Sequence, residues 1–560
     1  MLLGPTAVIE RAQQQADVCV AELGFGTGLN FAVTASAVLQ HSAARLHFIS
    51  VEAHPLTHAQ WQKIAQLRAH ELPIYAAFSD KPLPLLRGWH QRVFARGRIV
   101  LTVYHGDVQD ALDDLHRQQR NTVDVWYLDG FTPERNPSMW ESQVFEKIAA
   151  KSHCATMLAT FCAASRVRRS LQAVGFKVKR VDQQPHKRET IVARFDMPSS
   201  TRTAPSLNRV SILGAGIGGA SMARHFAEQV IAVDLYDPNG VAGGGSKISA
   251  ALMHGRLLGD RSVTAEHRAA AFHYATNYLA DWPGVRATGV LQLPGPNLKP
   301  EKLLRIIHAY DAEHSHQQHW IRALTATEAS ALVGGPVDAT ALLFPTGKTV
   351  VLPQLCMALL NHPDIALHQQ APPIDNVTPT VICVGSAAKS IALPSTDNQI
   401  EDEPLSWLEI TDVYGQLDTF PSHAQQPRVP VVGNGYVVPH DDGITVGATY
   451  EYRRWNPTDS TQHNYQLNQQ YLDGDAHSTS YQHAARAVTS DRVPFIGQLQ
   501  DNVWIATGHG SMGTTSAPYA AALVSNAMLG WLSPASAAVT QLLNPHRLKA
   551  RQARRGIRHQ

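Results

Sequence analysis

Four acids stand where carboxylates could do chemistry. Glu22 lies two residues before Gly24-Phe25-Gly26-Thr27-Gly28, Glu52 ends the apolar run 46–51, Asp107 follows the run 99–104, and Asp129 ends the run 122–128. Runs of this length and composition read as buried strands. An acid at the end of each is delivered to the carboxyl edge of a parallel sheet, where open α/β sheets bind ligands. There a carboxylate can meet an ammonium (Glu22), accept both hydroxyls of a ribose (Glu52, 24 residues past Gly28), reach an adenine amino group (Asp107) or orient an amine and take its proton (Asp129). Singly, Glu52 or Asp107 would be a solvated strand-end acid; four in this arrangement make ligand contacts the better reading. Pro133 and Pro137 stiffen the loop after Asp129 and forbid an immediate helix. The next helix is predicted to start near Ser138, nine residues on, too far for Asp129 to cap it.

A second set of residues begins at 209–213, a strand followed by Gly214-Ala215-Gly216-Ile217-Gly218-Gly219. Asp237 ends the strand 231–236, 18 residues past Gly219, completing a dinucleotide-binding βαβ with Asp237 on the adenosine ribose. Farther on, Arg486 opens an Arg-x-x-Thr-x-Asp-x-x-Pro stretch, and the strand 503–507 leads to Gly508, Gly510 and Gly513. A guanidinium suits bidentate capture of a carboxylate. Read alone, Arg486 fits a salt bridge within its domain equally well.

The elements around these residues set the organisation. The chain has 560 residues, 44% hydrophobic and 17% charged, too long for one core and of ordinary globular composition. A Ser/Thr/Pro stretch at 198–207 reads as a linker between a domain at 1–197, closed by an edge strand at 191–195, and one at 208–545, with a basic tail at 546–560. The net charge of +2 requires any polyanion to be met by local patches. The candidates are 166–169 (with Arg168 and Arg169), His186-Lys187-Arg188, and the tail with Arg547 and Lys549. Five scattered cysteines without a CxxC pair fit reduced thiols, and His54 and His58 lack a third metal ligand. No apolar run approaches a membrane span and the N-terminus lacks a signal-peptide layout, so a cytoplasmic protein with no membrane, metal or obligate protein partner is expected.

The first half, with alternating glycines and Glu22, resembles class I S-adenosylmethionine-dependent methyltransferases of Rossmann-like α/β fold. The second resembles the glycine and sarcosine oxidase (DAO) type of FAD enzymes, with a mixed-sheet substrate region. That resemblance implies a flavin contact at Ser246 and at Gly508, Gly510 and Gly513, and assigns Arg486 to a substrate carboxylate. Without a cysteine after Cys383, the FAD is expected to be non-covalent. Both halves in this order, with GFGTGLNF, LDGFTPERNPSMW and the terminal LLNPHRL, resemble the bifunctional family of tRNA 5-methylaminomethyl-2-thiouridine biosynthesis. The resemblance covers nearly the whole chain. It implies FAD-dependent removal of the carboxymethyl group from the carboxymethylaminomethyl group on a wobble uridine, with release of glyoxylate, then methylation of the resulting primary amine.

Three departures from the family pattern stand out. Only some seventeen residues precede the first glycine strand, which bears on methyltransferase stability and substrate capture. Met512 stands where relatives carry an arginine, and Gly243–Ala250 matches loosely. Two alternatives stay open at this level: an FAD amine oxidase of a free small N-substituted glycine fused to an inactive methyltransferase fold, and a tRNA-binding scaffold.

Overall fold

Alternation of β-branched strands with amphipathic helices builds the first unit around one sheet. The computed structural model describes residues 3–118, 122–130, 134–183, 187–198, 207–313, 319–375, 377–394, 403–422, 426–472 and 477–554. Two units result, one of residues 1–207 with 526–537, the other of 208–525 with 538–560.

In the first unit the strands are β1 (Asp17–Leu23), β2 (Arg45–Glu52), β3 (Gly88–Phe94), β4 (Ile99–His105), β5 (Val123–Leu128), β6 (Ser152–Thr160), β7 (Phe176–Gln183) and β8 (Lys187–Phe195). They form one sheet in the order β3-β4-β2-β1-β5-β6-β8-β7. The neighbours β4-β2-β1-β5-β6 are all parallel. The ends of β2, β1 and β5 and the turn after β4 therefore gather Glu52, Glu22, Asp129 and Asp107 at one edge. Residues 191–195 do not form an edge strand: β7 returns antiparallel along the outer side of β8, which pairs with β6 on its other side. Phe31, Phe48, Trp61 and Phe78 fill the core, with the Trp61 and Phe78 rings stacked at 4.8 Å. Fully buried Asp124 on β5 stitches neighbours together, accepting from the Cys19 N–H on β1 at 2.8 Å and pairing with His153 on β6 at 3.0 Å.

The second unit has a six-stranded nucleotide-type sheet. Its strands β9 (Arg209–Leu213) and β10 (Ala232–Tyr236) lie between Ile365–His368 on one side and Thr380–Ile382, Val503–Thr507 and Phe495–Gln500 on the other. The late strand Val503–Thr507 thus returns beside the first βαβ through Thr380–Ile382. A separate eight-stranded sheet is mixed, antiparallel apart from the parallel pairing of Val290–Gln292 with Val431–Val432, and carries Arg486 on its strand Ser480–Thr489. Among the described residues no helix is long and apolar enough to cross a membrane.

The C-terminal segment departs from its expected form as a basic tail. Arg547–Arg554 is a helix whose Leu548 and Gln552 are buried. Arg547 pairs with Asp491 at 2.9 Å and donates to the Pro494 carbonyl, Arg551 pairs with Glu409 at 2.7 Å, and Lys549 sits 4.5 Å over the Trp407 ring. Arg547 is committed inside the fold, so a phosphate would have to break this pair to reach it. Burial pushes the Asp491 carboxyl up, but the hydrogen bonds and charge of Arg547 outweigh it and hold the group below the usual aspartate value. Its contribution to stability is complete above the ordinary aspartate range and is lost as pH falls through the depressed value. Arg547→Ala should cost about 3 kcal/mol in a denaturant titration at pH 7, with the difference from wild type shrinking in acid.

Candidate active sites

The glycine turn after β1 makes close backbone approach possible. Gly24 has φ +97°, and a Cβ there would lie 2.8 Å from the Asp129 carbonyl, so the turn and the end of β5 can meet only at glycine. A Cβ on Gly26 would meet nothing within 4 Å, leaving an open cradle, and Gly28 immediately precedes the helix Leu29–His41. Glu52 reaches over this turn: one carboxylate oxygen accepts the Gly26 N–H at 2.7 Å and the other the His54 N–H at 2.8 Å. Asp107 is exposed and accepts the Gln109 N–H at 2.7 Å, at the start of the helix Val108–Gln118.

A residue not singled out from sequence joins two of these acids. The Asn30 amide nitrogen donates to Glu22 at 2.9 Å and to Asp129 at 2.7 Å. Glu22 also accepts from the Ser50 hydroxyl at 2.8 Å and is only 1% exposed, so it lies beneath the turn and is not open to direct contact with an ammonium. Burial pushes its carboxyl up to about 8; the bonds from Asn30 and Ser50 oppose this, and the charges of Asp129 and Glu52 add to it. Asp129 is half-buried, and its second oxygen accepts no hydrogen bond among the described residues. Pro133, expected to stiffen the loop, lies outside the described residues; Pro137 opens a short 3₁₀ turn, Pro137–Trp140, ahead of the helix Ser142–Ala150.

In the second unit Gly214 has φ +100°, and a Cβ there would lie 2.7 Å from the Cys383 carbonyl. Gly216 precedes the helix Ile217–Ala227, and Gly219 sits in its first turn against the Gly214 carbonyl. Asp237 accepts the Ala215 N–H at 2.8 Å, and buried Ser246 accepts the Ile217 N–H at 2.9 Å, so both grip the turn. Gly508 follows Val503–Thr507, Gly510 opens a 3₁₀ turn ending at Met512, and Gly513 starts the helix Gly513–Leu529. Between them is His509, whose buried Nε2 lies beside the Ala506 carbonyl and faces Gly218. Burial lowers its imidazole to about 4, so it is neutral near pH 7.

Arg486 lies across Gly415, where any side chain would strike its guanidinium, and donates to the carbonyls of Thr449 at 3.3 Å and Tyr414 at 3.4 Å. It has no carboxylate partner among the described residues, which removes the internal salt-bridge reading. Burial lowers its pKa, with Tyr450, Tyr436 and the Glu451 carboxylate opposing and Arg256 adding to the effect. Arg256 donates to Ser511, next to Met512.

The family model for S-adenosyl-L-methionine-dependent methyltransferases matches residues 73–196, and that for FAD dependent oxidoreductases matches residues 209–527. The tRNA 5-methylaminomethyl-2-thiouridine biosynthesis bifunctional protein MnmC of Marinobacter nauticus is 31% identical over 553 residues, covering 89% of this chain and 84% of that protein. The chain belongs to this family. The protein of the same description from Nitrosospira multiformis is 30% identical over 596 residues, covering 96% of this chain and 91% of its own. Among solved structures, glycine oxidase from Geobacillus kaustophilus is similar at a TM-score of 0.49 and 16% identity, over 61% of this chain and 99% of that one.

The chain is therefore an enzyme with a methyltransferase half using S-adenosylmethionine and an oxidoreductase half using FAD. The residues present fit both groups. The backbone over Gly26 is open to a ligand, and the buried His509 Nε2 faces the dinucleotide-type turn. Of the expected phosphate contacts, Arg169 is exposed at the start of the helix Ser165–Ala173, while Arg168 donates to Ser165 at 3.2 Å. His186 and the side chains of Lys187 and Arg188 lie outside the described residues.

Glu22 makes one prediction. Its folded carboxyl keeps a proton up to about pH 8 that the unfolded chain releases near 4.5, so the folded state binds more protons between these values. Stability contributed by Glu22 is complete below the unfolded value and is lost as pH rises through the folded one. Glu22→Gln should flatten this part of the pH profile and raise the unfolding midpoint relative to wild type at pH 8, measured without S-adenosylmethionine.

Proposed function

We propose that this cytoplasmic enzyme completes a wobble-uridine side chain on tRNA in two steps at two sites, without a metal. The oxidoreductase half removes the carboxymethyl group of carboxymethylaminomethyl-(2-thio)uridine, and the methyltransferase half methylates the amine so exposed. When bound, non-covalent FAD supplies the two-electron oxidation of the C–N bond and S-adenosylmethionine supplies the methyl group.

In the oxidoreductase half, Arg486 binds the carboxylate of the glycine-like substituent. Its guanidinium is desolvated, fixed by two carbonyls and without an ion-paired carboxylate among the described residues, which supports that role. Gly214, Gly216, Gly219, Asp237, Ser246, Gly508, Gly510 and Gly513 bind FAD, and His509 extends that set with a neutral ring. The imine hydrolyses to glyoxylate and a primary aminomethyl group.

In the methyltransferase half, Gly24, Gly26 and Gly28 give the backbone approach, Glu52 takes the ribose hydroxyls and Asp107 the adenine. Asp129 orients the incoming amine and accepts the proton that methyl transfer releases. The observation that carries this is the geometry around Asn30: it fixes one Asp129 oxygen and leaves the other without a donor among the described residues. Glu22 is a positioning residue that holds the other side of the same amide. Three acids at the open edge of the glycine turn, with Glu22 positioning Asn30 beneath it, favour an active methyltransferase over an inactive fold or a scaffold.

Two variants separate the steps. Asp129→Asn should slow methyl transfer to aminomethyl tRNA by about 100-fold or more while S-adenosylmethionine binding stays within a few-fold, and the aminomethyl nucleoside should accumulate. Arg486→Lys should raise KM for carboxymethylaminomethyl tRNA by about tenfold or more with FAD retained, since a point charge does not replace a fork. A wild-type methylation rate in the first, or a wild-type KM in the second, overturns the corresponding assignment.

A further inference from the structure

Beside the Arg486 site lies the segment Tyr450-Glu451-Tyr452-Arg453-Arg454-Trp455. Its anchor is Glu451, which is fully buried. The carboxylate accepts from the Trp455 N–H at 2.9 Å, the Ser460 hydroxyl at 3.0 Å and the Thr449 hydroxyl, and meets His483 at 3.3 Å. The Glu451 backbone exchanges both of its hydrogen bonds with Tyr414, at 2.9 and 3.0 Å. Its neighbours in sequence are turned outward: Tyr450, Tyr452 and Trp455 are 42%, 64% and 40% exposed. Arg453 and Arg454 are exposed and make no hydrogen bond or ion pair with any described residue. Arg492 adds a third guanidinium, donating to the Tyr450 hydroxyl at 2.6 Å.

Exposed rings held on a rigid anchor, interleaved with arginines that lack carboxylates, have the composition that binds unpaired RNA. Base faces stack on aromatic rings and guanidinium groups neutralise phosphates. A paired RNA stem offers no splayed bases, whereas a loop does. The position agrees: the Thr449 carbonyl, one residue before Tyr450, accepts from Arg486 at 3.3 Å. A nucleotide whose substituent reaches Arg486 therefore brings its flanking residues over this segment.

We propose that residues 450–455 with Arg492 form the RNA-loop contact of the oxidoreductase half, Tyr452 and Trp455 stacking unpaired bases next to the modified nucleotide and Arg453, Arg454 and Arg492 contacting phosphates. The proposal rests on tRNA being the substrate. It adds a reason for this half to select an RNA loop over a free N-substituted glycine.

The test uses the full-length, FAD-loaded enzyme and tRNA from cells lacking it, with Kd measured by fluorescence anisotropy across a salt series. Tyr452→Ala should weaken binding by about tenfold or more, and Tyr452→Phe, which keeps the ring, should bind as wild type. Arg453→Ala/Arg454→Ala should reduce the slope of log Kd against log salt by about 1 to 2. Flavin absorbance and unfolding temperature report that each variant is folded. Wild-type affinity and slope in all variants overturn the proposal, and equal weakening by Ala and Phe at 452 overturns the stacking contact. A wild-type enzyme that does not bind tRNA overturns the reading beneath it, a result distinct from the other two.

Discussion

One amide joins two acids at the edge of the first sheet. Asn30 has two N–H bonds, and it gives one to Glu22 at 2.9 Å and one to Asp129 at 2.7 Å. Two carboxyl groups this close cannot both carry charge cheaply in a buried setting. The conflict is divided by depth: Glu22, beneath the turn, keeps its proton, whereas Asp129 opens toward the edge of the sheet. The parallel register of β1 with β5 brings both to that edge, and Gly24 lets the turn pass the Asp129 carbonyl at a distance no other residue allows. Sheet, turn, helix start and acid thus depend on one another through a single side chain.

The oxidoreductase half solves a different problem by related means. The Arg486 guanidinium is held in a buried place by the carbonyls of Thr449 and Tyr414 and by the absent side chain at Gly415. Burying Arg486 without an ion-paired carboxylate among the described residues costs stability. Arg256, reaching the turn that holds Met512, places a second guanidinium near Arg486.

Much of this was legible from residue types. Strand ends carrying acids and glycine turns are local signals, and β2, β4, β5, β9 and β10 fall within a residue or so of the runs that predicted them, whereas the linker expected at 198–207 lies outside the described residues over 199–206. What sequence could not supply was pairing across distance. Asn30 is an ordinary polar residue at the start of a helix until β5 brings Asp129 beside it. The edge position assigned to 191–195 failed because β7, earlier in the chain, folds back outside β8. The basic tail was misread because charge composition does not reveal that Asp491 and Glu409 wait for Arg547 and Arg551. Residues 450–455 escaped notice because exposure, which makes them distinctive, follows from the burial of Glu451.

One chain, carrying both halves, performs both steps on tRNA. The direct measurement incubates tRNA from cells lacking this enzyme with the purified wild-type protein, with and without S-adenosylmethionine, and analyses the nucleosides by mass spectrometry. Loss of the carboxymethyl group in both samples, with a methyl gained only when S-adenosylmethionine is present, is the expected result. Unchanged carboxymethylaminomethyl nucleoside in both would show that this chain does not carry out the first step on tRNA.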